Sequence, residues 1–356
     1  MKTKIIGIAI FIVIAVIAIV TIGNGGHKQN ITLSGYIGGE KQGFFEDEAI
    51  QKVLKNKYGI IVDYTKAGSV EMVRYNDYEN VDFLFPSSQM ALEIFKREKG
   101  SLLKKSEKVF NSPIVIYSWD EVASALETES YVTKRGDTLY LSDFQGLIKG
   151  IESEKTWKDI GLSLYGKINI ICTDPNKSNS GNMYLGLLSN VLNNLELVET
   201  DDVNTVGPRA KAILDKLGYM DYSSGNLFSS YIEKGMGNGP LVVGYENQLV
   251  EFALDNPDIW EKVKNRVAIL YPEPTIWSEH TVIALSDHGK LLIEALQDEE
   301  IQKMAWERHG FRTGLVTSDA DQEIIKTVGI PENIDSVMPL PKADVMEALM
   351  QIFEEQ

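Results

Sequence analysis

The sequence Thr-Asp-Pro-Asn-Lys-Ser-Asn-Ser-Gly-Asn, at residues 173–182, joins the apolar run Ile168–Cys172 to the apolar-periodic segment Met183–Leu195. This pattern predicts a β-strand that runs into the N-terminus of a helix. The first N–H groups of a helix have no partner within the helix, and the helix dipole places partial positive charge there. A small anion or polar ligand therefore suits this junction, although Ser178 or Ser180 acting only as a helix cap would explain the same pattern.

Three similar junctions precede this one. The predicted strands Ile31–Ser34, Gly59–Tyr64 and Val81–Phe85 are each followed by a turn that contains glycine or serine. Strands that alternate with helices predict a mostly parallel α/β sheet, and ligands bind such sheets beyond the carboxyl ends of the strands. Glycine and serine are also common in these turns for conformational reasons alone. The candidate ligand-binding residues in the three turns are Ser34, Gly35, Gly39, Ser69, Ser87 and Ser88.

Two single extended segments, near residues 113–119 and 273–285, bracket a complete α/β unit. This arrangement predicts two lobes that are joined by two crossover strands and hinged around a cleft. We therefore expect residues 31–117 plus 280–356 to form lobe 1 and residues 118–279 to form lobe 2. Each lobe is expected to contain a mixed sheet flanked by helices.

The beginning of the chain carries a membrane signal. Residues 5–23 form a run of 19 residues without a charge, preceded by Lys2 and Lys4. About 20 apolar residues can cross a bilayer as a helix, whereas a cleavable signal peptide has a shorter apolar core of about 7–15 residues. We expect residues 1–30 to be an uncleaved transmembrane anchor and linker, with a cleaved signal peptide as the alternative. The positive-inside rule then puts the rest of the chain on the outer face of the cell membrane.

Charge and motifs argue against several classes of function. Residues 1–30 carry three lysines and no acidic residue, so the net charge of −16 for the whole chain becomes −19 for the remainder, which disfavours nucleic acid as a partner. Apart from the loose pair His280 and His288, the histidines lack metal-ligand spacing, and no nucleophile-elbow, dinucleotide-binding or Walker A motif is present. We expect a protein that is not an enzyme and has no metal or cofactor. The single cysteine, Cys172, is expected to be a core residue.

Three stretches resemble the type II extracellular solute-binding proteins, which are the receptor components of ABC importers. They are residues 173–181, Lys155–Gly161 and Ala305–Arg312, and the resemblance extends over about residues 31–315. The resemblance implies a two-lobed periplasmic-binding-protein type II fold and an ABC permease as partner. We expect the receptor to be a monomer.

Within that family, the chain is most similar to the branch that binds tetrahedral oxyanions such as molybdate, sulfate or phosphate. This branch builds its site from serine and threonine hydroxyls, backbone N–H groups and helix N-termini. The resemblance therefore implies Ser34, Ser69 and Ser180 as ligand-binding residues, with Ser178 and Asn182 beside them. Phosphate receptors usually carry Ser-Gly-Thr where this chain has Ser-Gly-Asn, so the identity of the anion stays open. The candidates in lobe 2 are Ser178, Asn179, Ser180, Asn182 and Tyr245.

Two other kinds of ligand are weaker candidates. Glu246 lies in a predicted strand-end loop, and a carboxylate that faced the cleft would favour a cationic or zwitterionic ligand; we expect Glu246 to be exposed to solvent instead. Paired tyrosines bind ferric iron in related receptors, but Tyr245 and Tyr271 have no matching set of histidine or acidic residues.

These observations predict an extracytoplasmic solute-binding receptor. It would capture a small polar, anionic ligand in an interlobe cleft by hinge closure and deliver the ligand to an ABC permease. Fixed dipoles and N–H groups suit this task because they hold an anion without a bare counter-charge. The alternative is a membrane-anchored sensor or interaction module that uses the same clamshell without transport.

Overall fold

The computed structural model describes residues 30–75, 77–313 and 329–354. The predicted transmembrane segment, residues 5–23, lies outside these ranges, so the anchor stays a prediction. Within the described ranges, no helix combines the length and the apolarity that crossing a membrane requires.

Strands and helices alternate along the chain, which confirms the predicted α/β class. The strands are β1 (Ile31–Ile37), β2 (Ile60–Lys66), β3 (Phe83–Phe85), β4 (Lys105–Trp119), β5 (Thr133–Arg135), β6 (Thr138–Leu141), β7 (Val242–Tyr245), β8 (Val267–Pro272) and β9 (Trp277–Ala284). The helices are α1 (Gln42–Glu46), α2 (Glu48–Val53), α3 (Ser69–Arg74), α4 (Gln89–Lys99), α5 (Asp120–Thr128), α6 (Phe144–Glu152), α7 (Asn179–Leu192), α8 (Val203–Leu214), α9 (Ser224–Lys234), α10 (Glu246–Asp255), α11 (Pro257–Val263), α12 (Asp287–Leu296), α13 (Glu299–His309) and α14 (Ala343–Glu354).

The strand pairings form two groups that share strand β4. In the first group, β1 lies between β2 and β3 and is parallel to both, and β3 pairs antiparallel with β9, which also pairs with the first part of β4. In the second group, the last part of β4 pairs antiparallel with β7 and β8, and β8 continues to β6 and β5. Both groups are therefore mixed, and one strand of 15 residues carries backbone hydrogen bonds for both.

Two strand predictions differ from the structure. Strand β1 continues to Ile37 instead of ending at Ser34, because Leu33, Gly35 and Ile37 alternate as buried positions along it. The apolar run Ile168–Cys172 is not a strand: only Ile171 pairs, in an isolated parallel bridge with Val242. The side chains of the run are nevertheless mostly buried, so its apolar character reflects burial and not strand pairing.

The sequence after Pro339-Leu340-Pro341 predicts a last helix at Lys342–Phe353, and helix α14 starts within one residue of that prediction. Its apolar residues belong to the larger of the two cores, which also contains helices α7 and α8. Side chains of α14 and of the segment before it lie against Gly186 in α7 and Gly207 in α8, where a larger residue would overlap them. On its other side, Glu347 pairs with Arg97 of helix α4. The helix thus contacts segments from both predicted lobes, and the lobe boundaries stay a prediction.

Glu246 is fully buried, so the expectation that it is exposed was wrong. Arg312 binds its carboxylate with two parallel hydrogen bonds, from Nε at 2.7 Å and from Nη2 at 2.9 Å. The Tyr271 hydroxyl donates to the same carboxylate at 2.6 Å. The guanidinium also donates to the carbonyl oxygens of Pro331 and Glu332, at 2.6 and 2.8 Å. One buried ion pair therefore ties the start of helix α10 to two distant stretches of chain.

We predict that Arg312→Met lowers the free energy of unfolding by about 3–5 kcal/mol, because it leaves the Glu246 carboxylate buried without a counter-charge. The matched control is Arg209→Met, since Arg209 also makes two hydrogen bonds to a carboxylate, that of Glu152, but is 43% exposed. Exposed pairs contribute about 1 kcal/mol or less. Urea unfolding monitored by circular dichroism measures both, and equal losses in the two variants would contradict the prediction.

Candidate ligand-binding site

The turns that follow strands β1, β2 and β3 meet through hydrogen bonds. After β1 the chain forms a 3₁₀ turn, Gly39–Lys41, and after β2 helix α3 begins at Ser69. The N–H of Ser87, in the turn after β3, donates to Ser69 Oγ at 3.0 Å. Lys41 Nζ donates to Ser87 Oγ at 2.6 Å. The carboxyl ends of three parallel strands therefore hold one buried polar cluster.

Lys41 lies at the centre of this cluster, and its side chain is completely buried. The ammonium group donates to Glu40 Oε1, to Ser87 Oγ and to His280 Nδ1, the last at 3.2 Å. An ammonium group has three hydrogens, so each hydrogen has one acceptor. Ser87 Oγ in turn donates to Glu40 Oε1. We call Glu40, Lys41, Ser87, Ser278 and His280 the Lys41 cluster.

The hydrogen bonds of the cluster define the tautomer of His280. Ser278 Oγ donates to the carbonyl oxygen of Ser87 at 2.8 Å, so it can only accept from His280 Nε2, which lies 3.3 Å away. The other ring nitrogen, Nδ1, accepts from Lys41. The imidazole therefore carries its hydrogen on Nε2 and is neutral. Burial and the charge of Lys41 hold the pKa of His280 well below its ordinary value, in agreement with the neutral form.

Glu40 and Lys41 form a buried ion pair. Burial alone would raise the pKa of Glu40, but the charge of Lys41, the proximity of His280 and the hydrogen bonds from Lys41 and Ser87 outweigh it and lower the pKa to about 2. Burial also lowers the pKa of Lys41, and the Glu40 carboxylate opposes that effect. The lysine keeps its proton because a neutral amine would have only two hydrogens for the three acceptors.

Helix α7 brings the junction 173–182 against this cluster. Asn179, the first residue of the helix, donates from Nδ2 to the carbonyl oxygen of Ser87 at 2.9 Å and to the Tyr245 hydroxyl oxygen at 3.0 Å. The Ser87 contact identifies this atom as nitrogen, because an amide oxygen there would face another oxygen. Asn179 Oδ1 and Ser88 Oγ are buried without a hydrogen-bond partner among the described residues.

The serines of the junction bind one another. Ser180 Oγ is buried, 2.8 Å from Thr173 Oγ1 and 3.2 Å from Ser178 Oγ. Ser178 is the N-cap residue of α7, but its hydroxyl makes no capping hydrogen bond to the helix backbone. Gly181 is required because a side chain there would overlap the carbonyl group of Thr173. The simple capping interpretation of this motif is therefore insufficient, since the hydroxyls are directed towards each other.

A cavity of about 210 Å³ lies beside the cluster. One wall is the N-terminal turn of α3, residues 68–71, and the other is the start of α7 with the loop before it, residues 175–179. Met350 of helix α14 closes one side. A space of this size holds a small molecule or ion between the two walls.

Four of the predicted site residues lie elsewhere or contribute no side chain. Ser34 and Gly35 are within strand β1, where Ser34 N–H donates to Asp82 Oδ2 at 3.1 Å. Gly39 begins the 3₁₀ turn and is close to Lys41 only through the backbone. The Nδ2 of Asn182 lies 2.8 Å from Met350 Sδ and not at a member of the Lys41 cluster. The structure brings together Ser69, Ser87, Ser88, Ser178, Asn179, Ser180 and Tyr245.

Sequence reasoning missed four members of the cluster. Glu40 and Lys41 lie in the glycine-rich loop that was predicted to contribute Gly39, but charged residues in a loop usually face solvent. His280 was considered only for metal binding and catalysis, and Ser278, two residues before it, was not considered. The available signal was a Glu-Lys pair directly after two glycines at a strand end. Among the described residues, no group of three histidine, cysteine or acidic residues could hold a metal ion.

No protein-family model and no curated protein matches the sequence. Solved structures match the fold. The sulfate-binding protein SubI from Mycobacterium tuberculosis H37Rv is 14% identical with a TM-score of 0.51, over 92% of this chain and 98% of that one. The apo ferric ion-binding protein A of Pasteurella haemolytica is 14% identical with a TM-score of 0.59, over 91% and 97%. Iron-bound HitA from Pseudomonas aeruginosa is 12% identical with a TM-score of 0.54, over 90% and 98%.

The chain has the fold of the type II solute-binding proteins. This confirms the resemblance inferred from the junction at residues 173–181 and the two other stretches. The matches cover 92% and 91% of this chain, so the type II fold accounts for most of the described α/β structure. One of these solved structures is named as a sulfate-binding protein and another as iron-bound, so the fold alone does not identify the class of ligand.

We predict that the stability difference between the wild-type protein and Glu40→Gln depends on pH. Because the pKa of Glu40 is lowered in the folded state, its contribution is present above pH about 4.5 and is lost as the pH falls towards about 2. The melting temperature of the wild type should therefore approach that of Glu40→Gln between pH 6 and pH 3. The exposed carboxylate Glu121 provides the control variant Glu121→Gln. A wild-type advantage over Glu40→Gln that stays constant across this range would contradict the assignment.

Proposed function

We propose that the protein is an extracytoplasmic receptor that binds a small polar anion and delivers it to an ABC permease. In this proposal the ligand binds between lobe 1, residues 31–117 plus 280–356, and lobe 2, residues 118–279. The chain acts as a monomer without a metal or cofactor, and residues 5–23 hold it in the cell membrane. Closure of the two lobes encloses the ligand.

The observation that carries the proposal is the buried ammonium of Lys41 among hydroxyl and amide groups. Lys41 donates to the Ser87 hydroxyl, and Ser87 is hydrogen-bonded in turn to Ser69 and Asn179, which lie on the two walls of the cavity. A buried lysine costs free energy unless an anion balances its charge. A site with a fixed positive charge, hydroxyl donors and helix N-termini suits an anion.

The anion would gain further contacts from groups that have spare capacity. Ser69 Oγ accepts from the Ser87 N–H, so its own hydrogen is available to a ligand. The Tyr245 hydroxyl accepts from Asn179 and can donate its hydrogen, and burial keeps it in the protonated form by raising the pKa well above its ordinary value. A ligand that is held by neutral donors of this kind can be released readily, as a transport receptor requires.

We predict that Lys41→Met weakens anion binding at least about a hundredfold, because it removes the charge and a charge-assisted hydrogen bond. A thermal-shift screen of the full chain against sulfate, molybdate, phosphate and small carboxylates identifies the anion, since a ligand at 100 times its Kd stabilises by about 2.7 kcal/mol. Calorimetry then measures Kd. Lys96→Met is the matched control, because Lys96 is exposed and does not line the cavity.

The double variant Glu40→Gln/Lys41→Met is the control for misfolding of Lys41→Met, because it removes both charges of the buried pair together and leaves no unpaired carboxylate. It should also fail to bind the anion. If Lys41→Met binds as well as the wild type, or if the wild type binds no member of the panel, the proposal fails.

We predict that Ser180→Ala weakens binding roughly ten- to hundredfold at a nearly constant melting temperature, because a desolvated anion loses one hydroxyl of the junction. Ser189→Ala is the control in the same helix, since the Ser189 hydroxyl is buried without a partner among the described residues. Calorimetry and thermal unfolding of both variants provide the two measurements. Unchanged affinity in Ser180→Ala would return the junction to a purely structural role.

A further inference from the structure

Glu40 occupies the position that an anionic ligand would take at Lys41. Its Oε1 accepts hydrogen bonds from both Lys41 Nζ and Ser87 Oγ and lies 3.6 Å from His280 Nδ1. The side chain is only 6% exposed. These are the contacts of a bound carboxylate, supplied here by the residue next to the lysine in the chain.

The charges around this position balance in the absence of any ligand. Lys41 contributes one positive charge and Glu40 one negative charge, while His280 is neutral by its hydrogen bonds. The side chains that connect to Ser87 through hydrogen bonds are neutral as well: Ser69, Asn179 and Ser278 directly, and Tyr245 through Asn179. An anion that entered beside Glu40 would add a negative charge without a partner, which a buried site disfavours strongly.

The position of the Glu40 carboxylate depends on Gly38. The carboxylate folds back over this glycine, so that a Cβ at residue 38 would overlap both carboxylate oxygens. The backbone of Gly38 has φ −67° and ψ 145°, which any residue adopts without strain. Alanine at this position would therefore disturb little except the carboxylate, which is the mobile end of a flexible side chain.

We propose that Glu40 is an internal competing ligand, and that the solute is a small monoanion of the carboxylate type which binds Lys41 and Ser87 by displacing Glu40. This inference rests on the proposed function and adds the charge class of its ligand. When Glu40 moves out to solvent, the site retains the single positive charge of Lys41. One carboxylate restores both the charge balance and the two hydrogen bonds, whereas a dianion leaves one negative charge in excess. The competition lowers the affinity, so the receptor can release its ligand.

The test compares acetate binding by the full-length wild type, Glu40→Ala and Gly38→Ala in calorimetry. Truncation of glutamate to alanine removes the equivalent of one acetate ion, so acetate can occupy the space and the hydrogen bonds that are lost. We expect acetate to bind Glu40→Ala and Gly38→Ala at least about tenfold more tightly than the wild type and to raise their melting temperatures. The double variant Glu40→Ala/Lys41→Met should not respond. Gly38→Ala keeps every charged group, so it remains informative if Glu40→Ala folds poorly.

The outcomes separate this inference from the proposed function. Equal acetate affinity in the wild type and both alanine variants would overturn the competition, while the receptor function would stand. Tighter binding of sulfate than of acetate by the two variants would overturn the monoanion class alone. No binding of any anion by the wild type or the variants would overturn the proposed function and this inference together.

Discussion

The described structure depends on burying one lysine without leaving its charge or its hydrogens unmatched. Lys41 is completely inside the protein, where an unpaired ammonium would be prohibitively costly. Three segments that are far apart in the sequence supply its acceptors: the 3₁₀ turn after β1, the turn after β3 that holds Ser87, and strand β9 with His280. The strand order places these segments side by side, since β1 and β9 both pair with β3. The burial of Lys41 therefore depends on the sheet topology.

Ser87 connects the charge of Lys41 to both walls of the cavity, since its N–H donates to Ser69 and its carbonyl oxygen accepts from Asn179. Its hydroxyl belongs to the Lys41 cluster, and its carbonyl oxygen accepts from Asn179 on one wall and from Ser278 on strand β9. A ligand that rearranged the hydroxyl would act on the same residue that holds helix α7 in place. Hydrogen bonds in a buried network strengthen one another, so such a change is transmitted at short range. This is a physical route from ligand binding to lobe closure in the proposed receptor.

Much of the fold could be predicted because local patterns and the final structure agree. The helix start within residues 173–182 was located correctly, and the final helix was placed to within one residue. The failures occur where a residue's surroundings come from distant segments. Strand β1 was ended too early because Gly35 was interpreted as the start of a loop, yet it pairs with Tyr64 and Phe83. Ile168–Cys172 has the apolar character of a strand but finds one partner residue only.

The candidate site was harder to predict than the fold for the same reason. Serines at strand ends follow from turn chemistry, which is local, and several of them do lie at the site. The burial of Lys41 is not local: two of its acceptors are 46 and 239 residues away in the sequence. Glu246 was expected to be exposed because its partner, Arg312, is 66 residues distant. A charged side chain in a loop is assigned to solvent unless its counter-charge is known, and that knowledge requires the topology.

The two buried ion pairs have different physical roles, although both combine one acid with one base. Both carboxylate oxygens of Glu246 accept a hydrogen bond from Arg312, and one of them also accepts from Tyr271, so the carboxylate is fixed through both oxygens. Glu40 is held through one oxygen, by its sequence neighbour and by Ser87, on a short turn that begins with two glycines. The planar, bidentate pair is suited to fastening the chain, whereas a lysine is a compact charge that can exchange one acceptor for another. This chain thus combines a fixed ion pair at the start of α10 with a second pair, Glu40 and Lys41, whose geometry permits the exchange of partner that we propose for ligand binding.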